Sequence, residues 1–473
     1  SLLTEPIAPK EPDETLAEDE PPADLWEGYI PTDAALSFDS TDDELRADET
    51  ATSEEPTADV ELTAEAALMI EAMIRNSLGV PEPTDADIRR MQDRANAWHN
   101  CPATPERLAH INELSLRYFE RCFTESWARG YLIERFGQDL AGSSFRPGYA
   151  PDGWTGLVTH LRRQGVTDQE MLASGVAATA STGRLIDRFR DRVVFPITHD
   201  GQTLGFVGRR NPAYADDDRH GPKYFNTPDT PLFHKGAQLY AAGHPASEAT
   251  PVLVEGPMDA LAVTLASEGR HIGLAPLGTS LTGEQAAQLH ALGRTPVVAT
   301  DADPAGRTAA ERDFWILASY GIDPLHARLP DGRDPADLIA AGESGQLVAA
   351  VTSASPLSDT LIDERFSTQP ESEAALDALR VVSAQRSAQW TAGVERIADR
   401  SQVPSALLRS ALVPLVRAWN IDPNRAAQRA TTRRRPPDTH AVDNPHTTLQ
   451  SRSTRRPPEN SVPAVKRFLG PPR

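Results

Sequence analysis

Between residues 251 and 350 strand-like and helix-like segments alternate, and this alternation limits the possible folds more than any other feature of the chain. Apolar runs at Pro251–Glu255, His271–Pro276, Pro296–Thr300 and Pro324–Leu329 read as strands. Met258–Ser267, Gly283–Leu292 and Ala305–Ser319, lying between them, carry helical spacing. The pattern predicts a parallel sheet with helices on its faces, where function collects at the carboxyl ends of the strands. Acids stand at those ends. Glu255 closes the first strand, and Asp259 follows four residues on, early in the next helix. Asp301 and Asp303 follow the third strand, spaced so that both lie on one side of an extended segment. Asp331, Asp334 and Asp337 follow the fourth.

Asp before Pro or Gly is ordinary turn and cap chemistry, and Asp303–Pro304 or Asp334–Pro335 alone would carry no more than that. What lifts the set above that reading is that three separate strands each end in acid. Carboxylates crowded at one rim repel unless a cation lies between them, and Mg²⁺ favours a few carboxylates with water and phosphate oxygens. The implied chemistry is phosphoryl transfer, with Mg²⁺ or Mn²⁺ as the cofactor.

The flanking regions read as follows. Residues 1–64 hold 20 Asp/Glu against Lys10 and Arg46, a net charge of −18, and are expected to be a disordered acidic segment. Leu25–Trp26 and Tyr29–Ile30 are the only apolar clusters there that could dock. Residues 65–144 read as a helical region, with Thr104 capping a helix that has Pro105 in its first turn and runs through Phe123. Residues 145–248 form a mixed, Arg-rich subdomain in which Asp200–Gly201 turns a hairpin between Arg192–Thr198 and Thr203–Val207. Residues 249–354 hold the parallel sheet, and 355–420 return to helix. Residues 421–473 hold 11 Lys/Arg against 4 Asp/Glu among prolines, and read as a disordered basic tail that holds nucleic acid, serves as a solubilising arm or folds back on the acidic N-terminus. The fold class expected is thus α+β with an α/β core: a mixed basic subdomain, a parallel-sheet domain, a C-terminal helical subdomain and two tails.

The acid motifs Val254-Glu255-Gly256-Pro257-Met258-Asp259, Leu277-Gly278-Thr279, Asp301-Ala302-Asp303-Pro304-Ala305-Gly306-Arg307 and Pro330-Asp331-Gly332-Arg333-Asp334-Pro335 together resemble the Toprim domain of bacterial DnaG-type primases. Toprim domains also occur in topoisomerases and some nucleases, so the flanks decide. Tyr149–Trp154, Asp187–Ile197, Gly205–Arg209, Pro222–Pro228 and Leu232–Gly236 resemble the basic N-terminal half of the primase catalytic core, and the likeness covers about residues 108–420. It implies a DNA-dependent RNA polymerase that makes short RNA primers from NTPs on single-stranded DNA, with a replicative helicase as a further partner. Glu255, Asp301 and Asp303 match the catalytic and metal-binding acids, and Asp259 and Asp334 match further acids of the metal site. Arg192, Arg209, Lys223, Asn226, Lys235, Gly278 and Thr279 fall in motifs that face template or nucleotide. The chain departs from the family at Ala336, where an Asp is usual, and Asp337 lies one place further on.

Among the aromatics of the basic half, core packing is the reading for Phe189 and Phe206, and a solvated face is the reading for Arg210. Asn226 has a turn role as an equal alternative. Cys101 and Cys122 have no CxxC partner, so no structural zinc is expected, and the family's zinc-ribbon and helicase-binding domains are expected to be missing. The chain starts at Ser1, from which an upstream piece is expected to have been removed. No apolar run reaches the roughly 20 residues that span a bilayer, and the acidic start is unlike a signal peptide. The expected location is cytoplasmic, with no membrane partner. Two rival readings are a Toprim nuclease, which needs the acids but not the basic half, and a degenerate single-strand-binding accessory protein, which Ala336 favours.

Overall fold

The computed structural model describes residues 58–432, apart from 215–219, 244–247 and Thr279. Most of both expected tails therefore lies outside the described residues. The chain opens with α1 (Ala58–Ser77), α2 (Asp85–His99), α3 (Pro105–Phe123) and α4 (Trp127–Phe136). The Thr104 hydroxyl accepts from the Arg107 amide and Pro105 sits in the first turn of α3, as the sequence pattern predicts.

A mixed region follows: β1 (Gly148–Ala150), α5 (Gly156–Arg163), α6 (Asp168–Ala173), β2 (Ala177–Thr179), β3 (Leu185–Asp187), β4 (Arg192–His199), β5 (Gln202–Arg210) and β6 (Tyr224–Asn226). β4 and β5 form the hairpin read from Asp200–Gly201, with φ of 48° and 76° at the two turn residues. Both angles are left-handed, which a two-residue turn between twisted strands requires. β1, β4, β5 and β6 make one antiparallel sheet in the order β1-β4-β5-β6, and β2 pairs with β3 alone.

The second large sheet is built from β7 (Leu239–Ala241), β8 (Thr250–Leu253), α7 (Pro257–Ala266), β9 (His271–Pro276), α8 (Gly283–Ala291), β10 (Val297–Val298), α9 (Pro304–Ser319), β11 (Leu325–His326), α10 (Pro335–Ala340), α11 (Ser344–Thr352) and β12 (Ser355–Pro356). Its order is β12-β11-β10-β8-β9-β7. The four inner strands are parallel, and β12 and β7 close the edges antiparallel. The strands are shorter than the apolar runs suggested. Single ladder bonds carry the pairing further, from the Val254 amide to the Leu274 carbonyl, Ala299 to Leu253, and Ala327 to Val298.

The chain ends in α12 (Leu357–Thr368), α13 (Glu371–Ala384), α14 (Trp390–Ser401), α15 (Ser405–Ile421) and α16 (Pro423–Thr432). Residues 423–432, expected to belong to the basic tail, form a helix with Ala427 buried against the bundle. Its apolar contacts come from alanines in a polar sequence, which is why apolar periodicity does not reveal it. At the other end, α1 begins at Ala58, inside the segment expected to be disordered.

Three cores hold these elements. The outer face of the antiparallel sheet buries Phe189, Val194, Phe206 and Phe225 under α3, α5 and α6. Its inner face and one face of the parallel sheet share a single core, in which Val193, Phe195 and Val207 meet Val252, Ala260, Val263 and Ala299, with Leu132 and Phe136 of α4. The far face of the parallel sheet packs on α9 and the C-terminal helices. The two sheets are thus fixed together by a common apolar interior, which sets the strand ends of one opposite the surface of the other.

Gly306, in the first turn of α9, fixes how closely that helix approaches the strand-end loop. A Cβ there would lie 2.1 Å from the Asp301 carbonyl oxygen, a clash no rotamer relieves because both partners are backbone. Gly306→Ala should lower the unfolding free energy by about 3 kcal/mol, at the upper end for overpacking, as read by urea denaturation of the full chain. A change within error would mean that α9 does not rest on this loop.

Candidate active site

β8, β10 and β11 are neighbours, and the chain reverses its direction of travel across the sheet between β8 and β10. A crevice opens at such a reversal, beyond the carboxyl ends of the strands. The acids line it. Glu255 lies two residues beyond β8 and Asp301 three beyond β10, and the Asp301 amide donates to Glu255 Oε1 at 3.2 Å. Asp259 projects from the first turn of α7, and its Oδ1 accepts from the Ala336 amide at 3.4 Å. Asp303 and Asp334 cap α9 and α10, accepting from the amides of Gly306 at 2.7 Å and Asp337 at 2.5 Å. In Asp334, which also lines the cavity, cap chemistry and rim position coincide; they are not alternatives.

The electrostatics record the crowding. Burial, followed by the charges of Asp334, Asp301 and Glu255, pushes the Asp259 carboxyl up to about 7. Burial and the charges of Glu255, Asp334, Asp303 and Asp337 push Asp301 up to about 6. Among the described residues no three His, Cys, Asp or Glu side chains form a ready-made metal cage. The donor set is nevertheless all carboxylate, short of counter-charge, and open to a cavity. That suits Mg²⁺, which binds through one or two carboxylates and completes its shell with water and substrate phosphates rather than in an all-protein cage.

The cavity holds about 1400 Å³. Glu255, Asp259, Asp301 and Asp334 line it, and so do the cations Arg188, Arg209, Lys223 and Lys235. Arg209 is held between two aromatic rings, 5.5 Å from the centre of Tyr131 and 5.3 Å from that of Tyr224, and donates to the Tyr224 hydroxyl at 2.8 Å. Arg188 lies 4.5 Å from the Phe225 ring, and burial lowers it to about 10. Asn226 and Gly278 also line the cavity, and Asn226 donates to the Leu277 carbonyl at 2.6 Å, tying the basic sheet to the loop beyond β9.

Several expectations need correcting. Arg192 is not at the cavity: it is 2% exposed and donates to the carbonyls of Gly208, Pro222 and His220. Arg210 is buried too, not solvated, and donates to the Gly221 carbonyl. The register pairs Arg192 with Arg210, so both point away from the face that carries Arg209. Phe225 is buried with Phe189 and Phe206, and the Arg188 guanidinium lies over its ring. Asp303 does not line the cavity, and Thr279 lies outside the described residues. Two cavity features were missed. Arg135 of α4 lines the cavity, with Tyr131 one turn before it on the same helix face. That spacing was the available signal. Arg90 and Arg94 of α2 also line it, and both pair with Glu284 of α8.

Comparison with known proteins places this architecture. Residues 118–245 match the DNA primase catalytic core, N-terminal domain, and residues 252–339 match the Toprim-like family. The DNA primase of Clostridium acetobutylicum is 33% identical over 266 residues, covering 55% of this chain and 43% of that protein. That of Deinococcus radiodurans is 36% identical over 276 residues, covering 56% and 46%. The chain thus spans less than half the length of these relatives. Among solved structures, the zinc-binding and RNA polymerase domains of Aquifex aeolicus primase superimpose with a TM-score of 0.56 at 26% identity, covering 65% of this chain and 75% of that one. A DNA primase domain from Pseudomonas aeruginosa gives 0.54 at 26% identity, covering 66% and 99%. A DnaG primase catalytic domain bound to single-stranded DNA gives 0.53 at 28% identity, covering 64% and 98%. Fold and site together define a Toprim-bearing catalytic core. Residues 118–245 and 252–339 thus carry the two domains of a DnaG-type primase catalytic core.

The raised Asp259 carboxyl has a consequence for stability. A folded-state value above the ordinary one contributes stability that is fully present below about pH 4 and is lost as pH rises through about 7. With metal chelated, Asp259→Asn should gain in melting temperature relative to the parent chain as pH goes from about 5 to about 8. A difference that stays constant with pH would contradict the charge crowding.

Proposed function

We propose that the chain catalyses template-directed nucleotidyl transfer, extending an RNA primer on single-stranded DNA by joining its 3′-hydroxyl to the α-phosphate of an incoming NTP with release of pyrophosphate. One observation carries this reading: a carboxylate rim and a set of cations line one and the same cavity. A nuclease would need the rim alone. Glu255 and Asp301 would hold a divalent cation, with Asp259 and Asp334 bordering it and Asp303 shaping the loop from the cap of α9. Bound there, the cation would supply charge neutralisation on the phosphate and a lowered pKa for the attacking hydroxyl.

The chain's own residues account for the remaining requirements. Lys223 and Lys235 present cations to backbone and triphosphate oxygens, and the aromatic clamp on Arg209 holds its guanidinium in place without a competing carboxylate. Gly278, in the loop after β9, leaves room for a nucleotide to approach the backbone, since a Cβ there meets nothing within 4 Å. Asn226 fixes that loop to the basic sheet through the Leu277 carbonyl. No described helix is long and apolar enough to cross a membrane. A cytoplasmic setting with a replicative helicase nearby belongs to the same proposal.

The test is primer synthesis on single-stranded DNA with NTPs and Mg²⁺ or Mn²⁺. Glu255→Gln and Asp301→Ala should each lose at least the roughly 100-fold that even outer-shell changes at metal sites reach, and full activity in either rejects the reading. Binding separates the two walls. Lys223→Ala and Lys235→Ala should weaken single-strand affinity and reduce its salt slope by about 0.7 each, whereas Glu255→Gln should leave that slope unchanged.

A further inference from the structure

The rim carboxylates divide into two halves that are neutralised differently. Asp334 and Asp337 share one guanidinium nitrogen of Arg135, Nη2, which lies 2.6 Å from Asp337 Oδ1 and 3.5 Å from Asp334 Oδ1. That arginine comes from the last turn of α4 and itself lines the cavity. The same Asp334 oxygen is also the cap acceptor of α10. Residue 336, between the two acids, is an alanine with no exposed surface, so it brings no oxygen donor, and Asp337 does not line the cavity. The other half differs. Glu255 and Asp301 face the cavity linked only by the Asp301 amide, and among the described residues neither has an ion-pair partner.

We infer that the rim takes a single divalent cation, on the Glu255–Asp301 side, and that the Arg135 guanidinium holds the Asp334–Asp337 side where a second cation would otherwise sit. The inference rests on the metal-assisted reading above and adds its stoichiometry and the role of Arg135. A fixed monovalent cation already shared by two carboxylates repels a divalent ion brought to the same oxygens, and the shared nitrogen leaves no vacant site between them. Asp259 lies at the junction, its Oδ1 taken by the Ala336 amide, so it borders the loaded side without completing a second cage. Arg135 is thus a positioning residue: it sets the charge of the rim and fixes α10 to α4.

The experiment counts bound Mn²⁺ on the full chain by electron paramagnetic resonance, as loss of the free-ion signal. Weak binding by the acidic N-terminal residues is removed by reading each count against a Glu255→Gln/Asp301→Asn double variant. The parent chain should hold one equivalent more than the double variant. Asp337→Asn should keep that equivalent, and Arg135→Gln should gain a second. Two equivalents in the parent chain, loss of one in Asp337→Asn, or a folded Arg135→Gln with no gain would overturn the inference. If Arg135→Gln does not fold, the parent and Asp337→Asn counts still decide. Equal counts in the parent and the double variant would instead reject the metal reading itself, and this inference with it.

Discussion

Repulsion among carboxylates brought to one edge of a parallel sheet is the constraint around which the rest of this structure is arranged. β8, β10 and β11 run side by side in the same direction, so whatever follows their carboxyl ends must meet at one rim. Here acids follow all three. Glu255 and Asp301 are linked by a backbone hydrogen bond, and Asp301 and Asp259 both have carboxyls raised by burial first and by their acidic neighbours second. Left alone this is a destabilising arrangement, so its persistence needs a compensating charge. The structure supplies part of it through Arg135, and the Glu255–Asp301 side shares its cavity with a cationic wall of Arg188, Arg209, Lys223 and Lys235.

That wall stays in place through ordinary packing. The antiparallel sheet and the parallel sheet share one apolar core, with Phe195 and Val207 on one side and Val252 and Ala260 on the other. Polar ties then fix the loops at the cavity. Asn226 donates to Leu277, Gln285 to the carbonyls of Lys235 and Gln238, and Thr282 to that of Gly236. Lys235 therefore sits on a segment whose backbone is anchored from α8, and Arg209 on a strand paired along its length with β4. A site that must align two substrates gains from this, because small misplacements at a reacting centre are costly.

Much of this was legible in the chain itself, and where it was not the reason is physical. The hairpin at Asp200–Gly201, the cap at Thr104 and the helices between the inner strands follow from local chemistry, which sequence carries directly. The acids were legible because strand ends in a parallel sheet have a fixed destination. The basic residues were less so. Arg192, Arg209 and Arg210 look alike as letters, and the parity of the β4–β5 register, a tertiary fact, sends the first and third inward and the second to the cavity. Edge strands β7 and β12 are too short to show alternation, and α16 buries only small side chains. Arg135 was hidden differently: its spacing from Tyr131 marks a face of α4, but nothing within α4 says that this face will lie against α10.

The rim also gains from the way its helices begin. α7 and α9 both start at the crevice, each with proline in the first turn, at Pro257 and Pro304. A helix start directs unpaired amides and a partial positive charge outward, and proline there removes a donor that would have no partner. These helix ends point at the loops that hold Glu255 and Asp301, so part of the compensation for the acids is backbone charge that cannot titrate. Such charge does not compete with a metal for carboxylate oxygens, as a lysine or arginine would. Helix starts lie on both halves of the rim, since α10 too begins with a proline, Pro335, behind its cap Asp334; what separates the halves is the guanidinium, which occupies oxygens of Asp334 and Asp337 and, among the described residues, pairs with neither Glu255 nor Asp301.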